Sequence, residues 1–186
     1  MTSPMPLLTL TVAEYLESEK SSPVRHEYLA GYVYAMTGTS TAHNLIAGNI
    51  FVRLHTHLRG GPCQTFMSDM KLHIEAIDTF YYPDVMVTCD PEDREDYFKT
   101  RPSLIIEVSS PSTVAIDRRE KLLAYQKIPT LREYILISQD EVKVEVYRRA
   151  QNGRWWEQTL EREGELELES VGLKIALNDI YEDVRL

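Results

Sequence analysis

Two short runs, Leu104-Ile105-Ile106 and Tyr134-Ile135-Leu136-Ile137, constrain the fold more than any other feature of the chain. Neither run alternates apolar with polar residues, so neither reads as a strand with one face in water. Consecutive branched apolar residues mark strands covered on both faces, as in a sheet lying between helices. Between the runs lies Ile116 to Lys127, read as a helix that Pro129 terminates. Upstream, Thr11 is a helix cap with Glu14 three residues on, the capping-box pattern, and the helix runs to Lys20 ahead of Pro23. Arg25 to Met36 reads as a hairpin about Ala30-Gly31. Thr41 to Leu58 carries Ala42, Leu45, Ile46, Ile50, Leu54 and Leu58 near helical spacing, and Gly60-Gly61-Pro62 ends it. Further strands are read at Cys63–Met67, Lys71–Ala76, Pro83–Thr88, Ser103–Val108, Arg132–Ser138, Val142–Arg149 and Arg154–Leu160. This order predicts an α/β class with a mixed sheet flanked by helices, in one domain over residues 1–186.

Composition excludes several classes. No apolar run approaches the roughly 20 residues that cross a bilayer, and 11 Tyr, 4 Phe and 2 Trp with dispersed charge argue against disorder. The formal net charge is -9, which excludes a protein that coats nucleic acid through bulk positive charge. That charge is local, however. Most of it lies in Asp90–Lys99, with five acids and two bases, and in Glu161–Glu169, with five acids and one base. The rest of the chain is nearly neutral. Cys63 and Cys89 have no partners at metal-ligand spacing and read as small buried fillers. With no secretion-signal pattern at the N-terminus, the expected location is the cytoplasm.

Chemistry concentrates at two strand ends. Tyr82-Pro83-Asp84-Val85-Met86-Val87 puts a carboxylate at the mouth of an apolar strand, and Leu104-Ile105-Ile106-Glu107-Val108-Ser109 puts another near the end of the next one. Neighbouring strands lie about 4.8 Å apart, so Asp84 and Glu107 can share one small volume. Two like charges at about 4 Å repel by about 4 kcal/mol at an effective dielectric of 20. Apolar surroundings raise the cost of ionisation further. Such a pair needs a cation, and a hard divalent ion with oxygen ligands supplies one. Asp117, Lys121 and Tyr125 recur at intervals of four on the following helix, so Lys121 can point back at the acids.

These residues resemble the PD-(D/E)XK nuclease superfamily, and the chain from about residue 10 to 160 resembles its Uma-type branch of restriction-endonuclease-like proteins. The blocks that carry the likeness are His26-Glu27-Tyr28 with Gly31 and Met36, His43, Tyr82-Pro83-Asp84-Val85, Leu104 through Thr113, Asp117 with Lys121 and Tyr125, and Glu133-Tyr134. The resemblance implies a restriction endonuclease-like fold and a DNA-cutting hydrolase. It also implies Mg²⁺ (or Mn²⁺) held by Asp84, Glu107 and the Val108 carbonyl, with Glu27 as an auxiliary acid and His43 as a further site residue. One position departs from the pattern. Where the superfamily carries lysine two residues after the second acid, this chain has Ser109, and Lys121 is the candidate to fill that space.

The competing reading is a catalytically inactive nuclease-fold module that binds nucleic acid or serves in assembly. A homodimer is expected if both strands are cut, because that takes two sites. No Gly-x-Ser-x-Gly element and no Gly-rich phosphate loop are present, which argues against a serine hydrolase and against nucleotide-dependent kinases and dinucleotide enzymes. His55 and His57, two apart on a helix, point away from each other and do not form a zinc motif. Trp155-Trp156 reads as strand packing with one exposed ring rather than as a platform for bases.

Overall fold

The structure is a computed structural model and describes residues 9–111 and 113–186; Ser112, part of the Leu104–Thr113 block, lies outside the described residues. The elements follow the order α1 (Val12–Glu19), β1 (His26–Leu29), β2 (Tyr32–Ala35), α2 (Thr41–Leu58), β3 (Gln64–Met67), β4 (Lys71–Ile74), β5 (Thr79–Tyr81), β6 (Val85–Thr88), β7 (Phe98–Lys99) and β8 (Pro102–Ser109). A helical crossover comes next, with α3 (Val114–Ile116), a π-helical turn (Asp117–Lys121) and α4 (Leu122–Tyr125). The chain ends with β9 (Glu133–Ser138), β10 (Lys143–Arg149), β11 (Trp155–Glu161), β12 (Glu165–Leu168), β13 (Leu173–Ala176) and α5 (Leu177–Ile180).

Local chemistry accounts for the early elements. Thr11 accepts from the Glu14 N–H while Glu14 accepts from the Thr11 N–H, so the capping box closes in both directions. The hairpin turns on Ala30 at φ 47° and Gly31 at φ 103°, the left-handed pair that a two-residue hairpin requires. The Ser40 side chain caps α2 by accepting from the His43 N–H at 3.1 Å.

A six-stranded sheet in the order β11-β10-β9-β8-β6-β3 forms the centre, and only β8 and β9 run parallel. Its strands β6, β8 and β9 are almost wholly buried, in keeping with the unbroken apolar runs. On one face, Ile46, Ile50 and Leu54 of α2 pack with α5 and the β12–β13 pair over Val85, Val87, Leu104, Ile106, Ile135 and Ile137. On the other, Met86, Ile105, Tyr134 and Leu136 meet Tyr125, Ile128 and Leu131 of the crossover, along with Leu72, Ile74 and Tyr81. Leu72, Ile74 and Tyr81 belong to a second, five-stranded sheet, β2-β1-β5-β4-β7. The mixed sheet flanked by helices is therefore present, with this second sheet beside it.

Two expectations need correction. Cys63 and Cys89 are not separate fillers but are joined by a disulfide. The reason is register: β3 pairs antiparallel with β6, Gln64 opposite Thr88, so the next residue on each strand meets its counterpart. A spacing of 26 residues gave no hint of this. The helix expected over Ile116–Lys127 is interrupted by the π-helical turn, and such turns occur mostly as local bulges, often at functional sites. No helix among the described residues is long and apolar enough to cross a membrane.

Leu54 is fully buried beneath the central sheet. Leu54→Ala is expected to lower unfolding free energy by about 2–5 kcal/mol, seen as a lower urea midpoint at unchanged m-value. An unaltered midpoint would remove α2 from the core.

Candidate active site

The β6–β8 register places Val85 opposite Ile106, which sets Asp84 across from Glu107 one step further along. Side chains alternate along a strand, so Asp84 and Glu107 share the face carrying Met86 and Ile105, the face covered by the crossover helix. The two acids are held differently. Asp84 Oδ2 accepts from the Val108 N–H at 2.8 Å, and His43 Nε2 lies 2.9 Å from Oδ1. An ionised carboxylate only accepts, so that contact needs the proton on Nε2. Glu107, 4% exposed, receives both of its hydrogen bonds on Oε1, from Lys121 Nζ at 3.1 Å and the Tyr125 hydroxyl at 2.6 Å.

Lys121 is the hub. Besides Glu107, its ammonium lies 3.5 Å from Glu27 Oε1 and 3.6 Å from Asp117 Oδ1, and it sits 5.5 Å from the centre of the Tyr81 ring. Burial pushes its pKa down, but Glu107, Glu27 and Asp117 outweigh burial and hold it above the usual lysine value. Burial pushes the Glu107 carboxyl up from 4.5 to about 8, with Asp84 and Asp117 adding to the rise against the pull of Lys121 and Tyr125. Asp117 is likewise raised, chiefly by burial, with Lys121 opposing. The Tyr125 phenol is pushed well above its ordinary value by burial and by Glu107.

One cavity of about 420 Å³ collects these groups. Glu27, His43, Asp84, Glu107, Val108 and Lys121 all line it, so every site residue expected from sequence borders the same space. Ser109 does not border it; its hydroxyl donates to the Ile137 carbonyl at 3.4 Å, and the residue lines a separate cavity with Arg118, Leu136 and Glu145. Lys121 instead brings an ammonium to the second acid. Spacing puts Asp117 and Tyr125 on the lysine's helix face without assigning either a role in the site; in the structure one contacts Lys121 and the other Glu107. Gln139 also lines the cavity and accepts from Ser40 at 2.7 Å; nothing in the sequence marked it.

The cavity offers carboxylates as hard-oxygen donors; the Glu107 carboxyl is pushed up chiefly by burial, with Asp84 and Asp117 adding to the rise, and a cation beside it would favour its charged form. No group of three or more His, Cys, Asp or Glu side chains among the described residues is arranged to hold a metal. Mg²⁺ is commonly held by one or two carboxylates with several waters retained, so Asp84 and Glu107 match that ion in number and type.

Fold and acid pair together define a restriction endonuclease-like protein. The model of the Uma2 family, described as "putative restriction endonuclease", matches residues 12–178, and the chain belongs to this family. Two uncharacterized proteins of Synechocystis sp. are 39% and 35% identical to it, over 95% and 78% of this chain and 93% and 84% of their own lengths. In fold the chain is similar to a crystal structure from Anabaena variabilis described as a putative nuclease belonging to DUF820. The TM-score is 0.76 at 18% identity, covering 95% of this chain and 99% of that one.

The pKa of Glu107 sets a pH dependence. The folded state holds this proton more tightly than the unfolded chain, so its contribution to stability is full below about 4.5 and is lost as pH rises through about 8. In chelator, Glu107→Gln is expected to flatten that decline in urea denaturation between about pH 5 and 8. Parallel pH profiles for the two proteins would show that Glu107 is not the titrating acid.

Proposed function

We propose that the protein is a divalent-metal-dependent endonuclease that hydrolyses DNA phosphodiester bonds. What supports this reading most is the meeting, in one cavity, of two acids from adjoining buried strands with an ammonium 3.1 Å from one of them. Asp84, Glu107 and the Val108 carbonyl are the groups that hold Mg²⁺ or Mn²⁺. Bound there, such an ion supplies a Lewis acid for the phosphate and lowers the pKa of a coordinated water.

The protein's own part is positioning and charge. Lys121 presents its ammonium where the phosphate oxygens gain negative charge, the role of a preorganised electrostatic donor. Glu27 and Asp117 fix the ammonium between them, and the Tyr125 hydroxyl fixes Oε1 of Glu107. His43 keeps Asp84 turned toward Val108 and holds a proton at Nε2 beside the carboxylate.

The alternative, a nuclease-fold module that binds DNA without turnover, is favoured by Ser109 at the usual lysine position. One assay separates the two readings. With plasmid, linear and single-stranded DNA in Mg²⁺ or Mn²⁺, the wild type is expected to cut at least one of these forms, chelator to stop it and Asp84→Asn to abolish it. Lys121→Met is expected to lower the rate by about 10²–10³, with circular dichroism confirming that the variants fold. DNA binding without cutting would establish the alternative, and cutting by Asp84→Asn at the wild-type rate would overturn the assignment of the site.

A further inference from the structure

The β1–β2 hairpin leaves β2 as the outer strand of its sheet, with all four residues exposed. Its sequence, Tyr32-Val33-Tyr34-Ala35, has no charge and no proline, the usual protections of a strand edge. Register places Tyr34 opposite Glu27 and Tyr32 opposite Leu29, so both phenols rise from the face that carries Glu27. That face borders the active-site cavity, which Glu27 and Tyr34 both line. Tyr34 is 55% exposed and Tyr32 39%. Among the described residues no ring, cation or hydroxyl engages either phenol. The tandem tryptophans differ in this respect: Arg149 lies 4.9 Å from the Trp155 ring centre and Arg148 4.8 Å from that of Trp156, so their faces are already used.

Charge indicates what these phenols meet. A protein that tracks a duplex does so with rows of Lys and Arg on successive phosphates. Here four acids, Glu27, Asp84, Glu107 and Asp117, line the cavity, and among its described lining residues Lys121 is the one lysine or arginine. The cavity itself therefore offers a phosphate a single lysine, and contact with the bases would add grip that this lysine alone does not supply. Aromatic stacking supplies it without regard to sequence. Tyr32 and Tyr34, two residues apart on a strand, are spaced by about 6.8 Å, twice the roughly 3.4 Å separation of stacked bases. Rings so spaced admit one base when they turn face to face, and a base locked in a continuous duplex does not enter.

We propose that Tyr32 and Tyr34 form a stacking clamp that seats an unpaired base beside the scissile phosphate, so that the substrate is single-stranded or locally opened DNA. This deepens the nuclease reading and rests on it for the position of the reacting phosphate. The test is fluorescence anisotropy with a labelled oligothymidine of about ten nucleotides, a hairpin duplex and an abasic strand. Ca²⁺ replaces Mg²⁺, and a gel confirms that the strands stay intact. The single strand is expected to bind more tightly than the duplex. Tyr32→Ala and Tyr34→Ala each weaken it about five- to a hundredfold, Tyr34→Trp restores it, and the abasic strand shows no dependence on either tyrosine.

Binding of the duplex as tight as that of the single strand, or Ala variants that bind as wild type does, would overturn the clamp. So would Ala variants that convert a dimer to a monomer in sedimentation while affinity holds, since β2 would then pair with a second copy. Plasmid cleavage separates the two claims. Tyrosine-dependent single-strand binding with no cutting of any DNA leaves the clamp standing and removes the nuclease. Duplex cutting that ignores both tyrosines does the reverse.

Discussion

The site depends on one buried cation. Glu27, Glu107 and Asp117 converge on the Lys121 ammonium from β1, β8 and the crossover helix. Removed from water without that ammonium, the carboxylates would face a desolvation cost that mutual repulsion only increases. Lys121 therefore holds together three segments that share no backbone pairing at this point. Its presence lets Glu107 occupy a strand that is otherwise Leu, Ile and Val. Because breaking a buried ion pair is far costlier than breaking an exposed one, the cluster gives the cavity a fixed geometry before any substrate arrives.

Elsewhere the central sheet satisfies its buried charges in a closed manner. Glu133, fully buried, accepts from Arg148 and from the Glu169 and Ser170 N–H groups, while Arg148 also donates to the Glu167 carbonyl. Each of the two charges is matched by groups of opposite sign or polarity, and the network ties β9 and β10 to the β12–β13 pair. Around Lys121 the balance is different, with three acids on one cation and Asp84 close by. The contrast separates a charge cluster that fastens the fold from one that retains unspent negative charge facing a cavity.

Much of the fold was legible in the chain because its local chemistry agrees with the final packing. The capping box at Thr11, the left-handed pair Ala30-Gly31 and the bounds of α2 all follow from short-range rules, and the continuous apolar runs identify the covered strands. The acid pair was legible for the same reason, since an acid inside Leu-Ile-Ile-x-Val has few structural explanations. What could not be read depends on register and on distant contacts. The Cys63–Cys89 link needs the β3–β6 pairing, and the second sheet needs β5 and β7, whose three and two residues are too short to show a period. The π-helical turn itself leaves no mark in the sequence, although the four-residue spacing already brings Asp117 to Lys121. That Lys121 stands near Glu107 follows from the parallel β8–β9 connection, whose crossover brings a helix back over the end of the strand.

The cavity straddles two sheets. Asp84, Glu107 and Lys121 belong to the central sheet and its crossover, while Glu27 rides on a hairpin of the other. One of the carboxylates that hold the Lys121 ammonium thus comes from a different sheet than the Asp84–Glu107 pair. The packing of one sheet against the other is therefore also an electrostatic contact: the position of β1, paired to the outer strand β2, sets how far Glu27 stands from the buried ammonium.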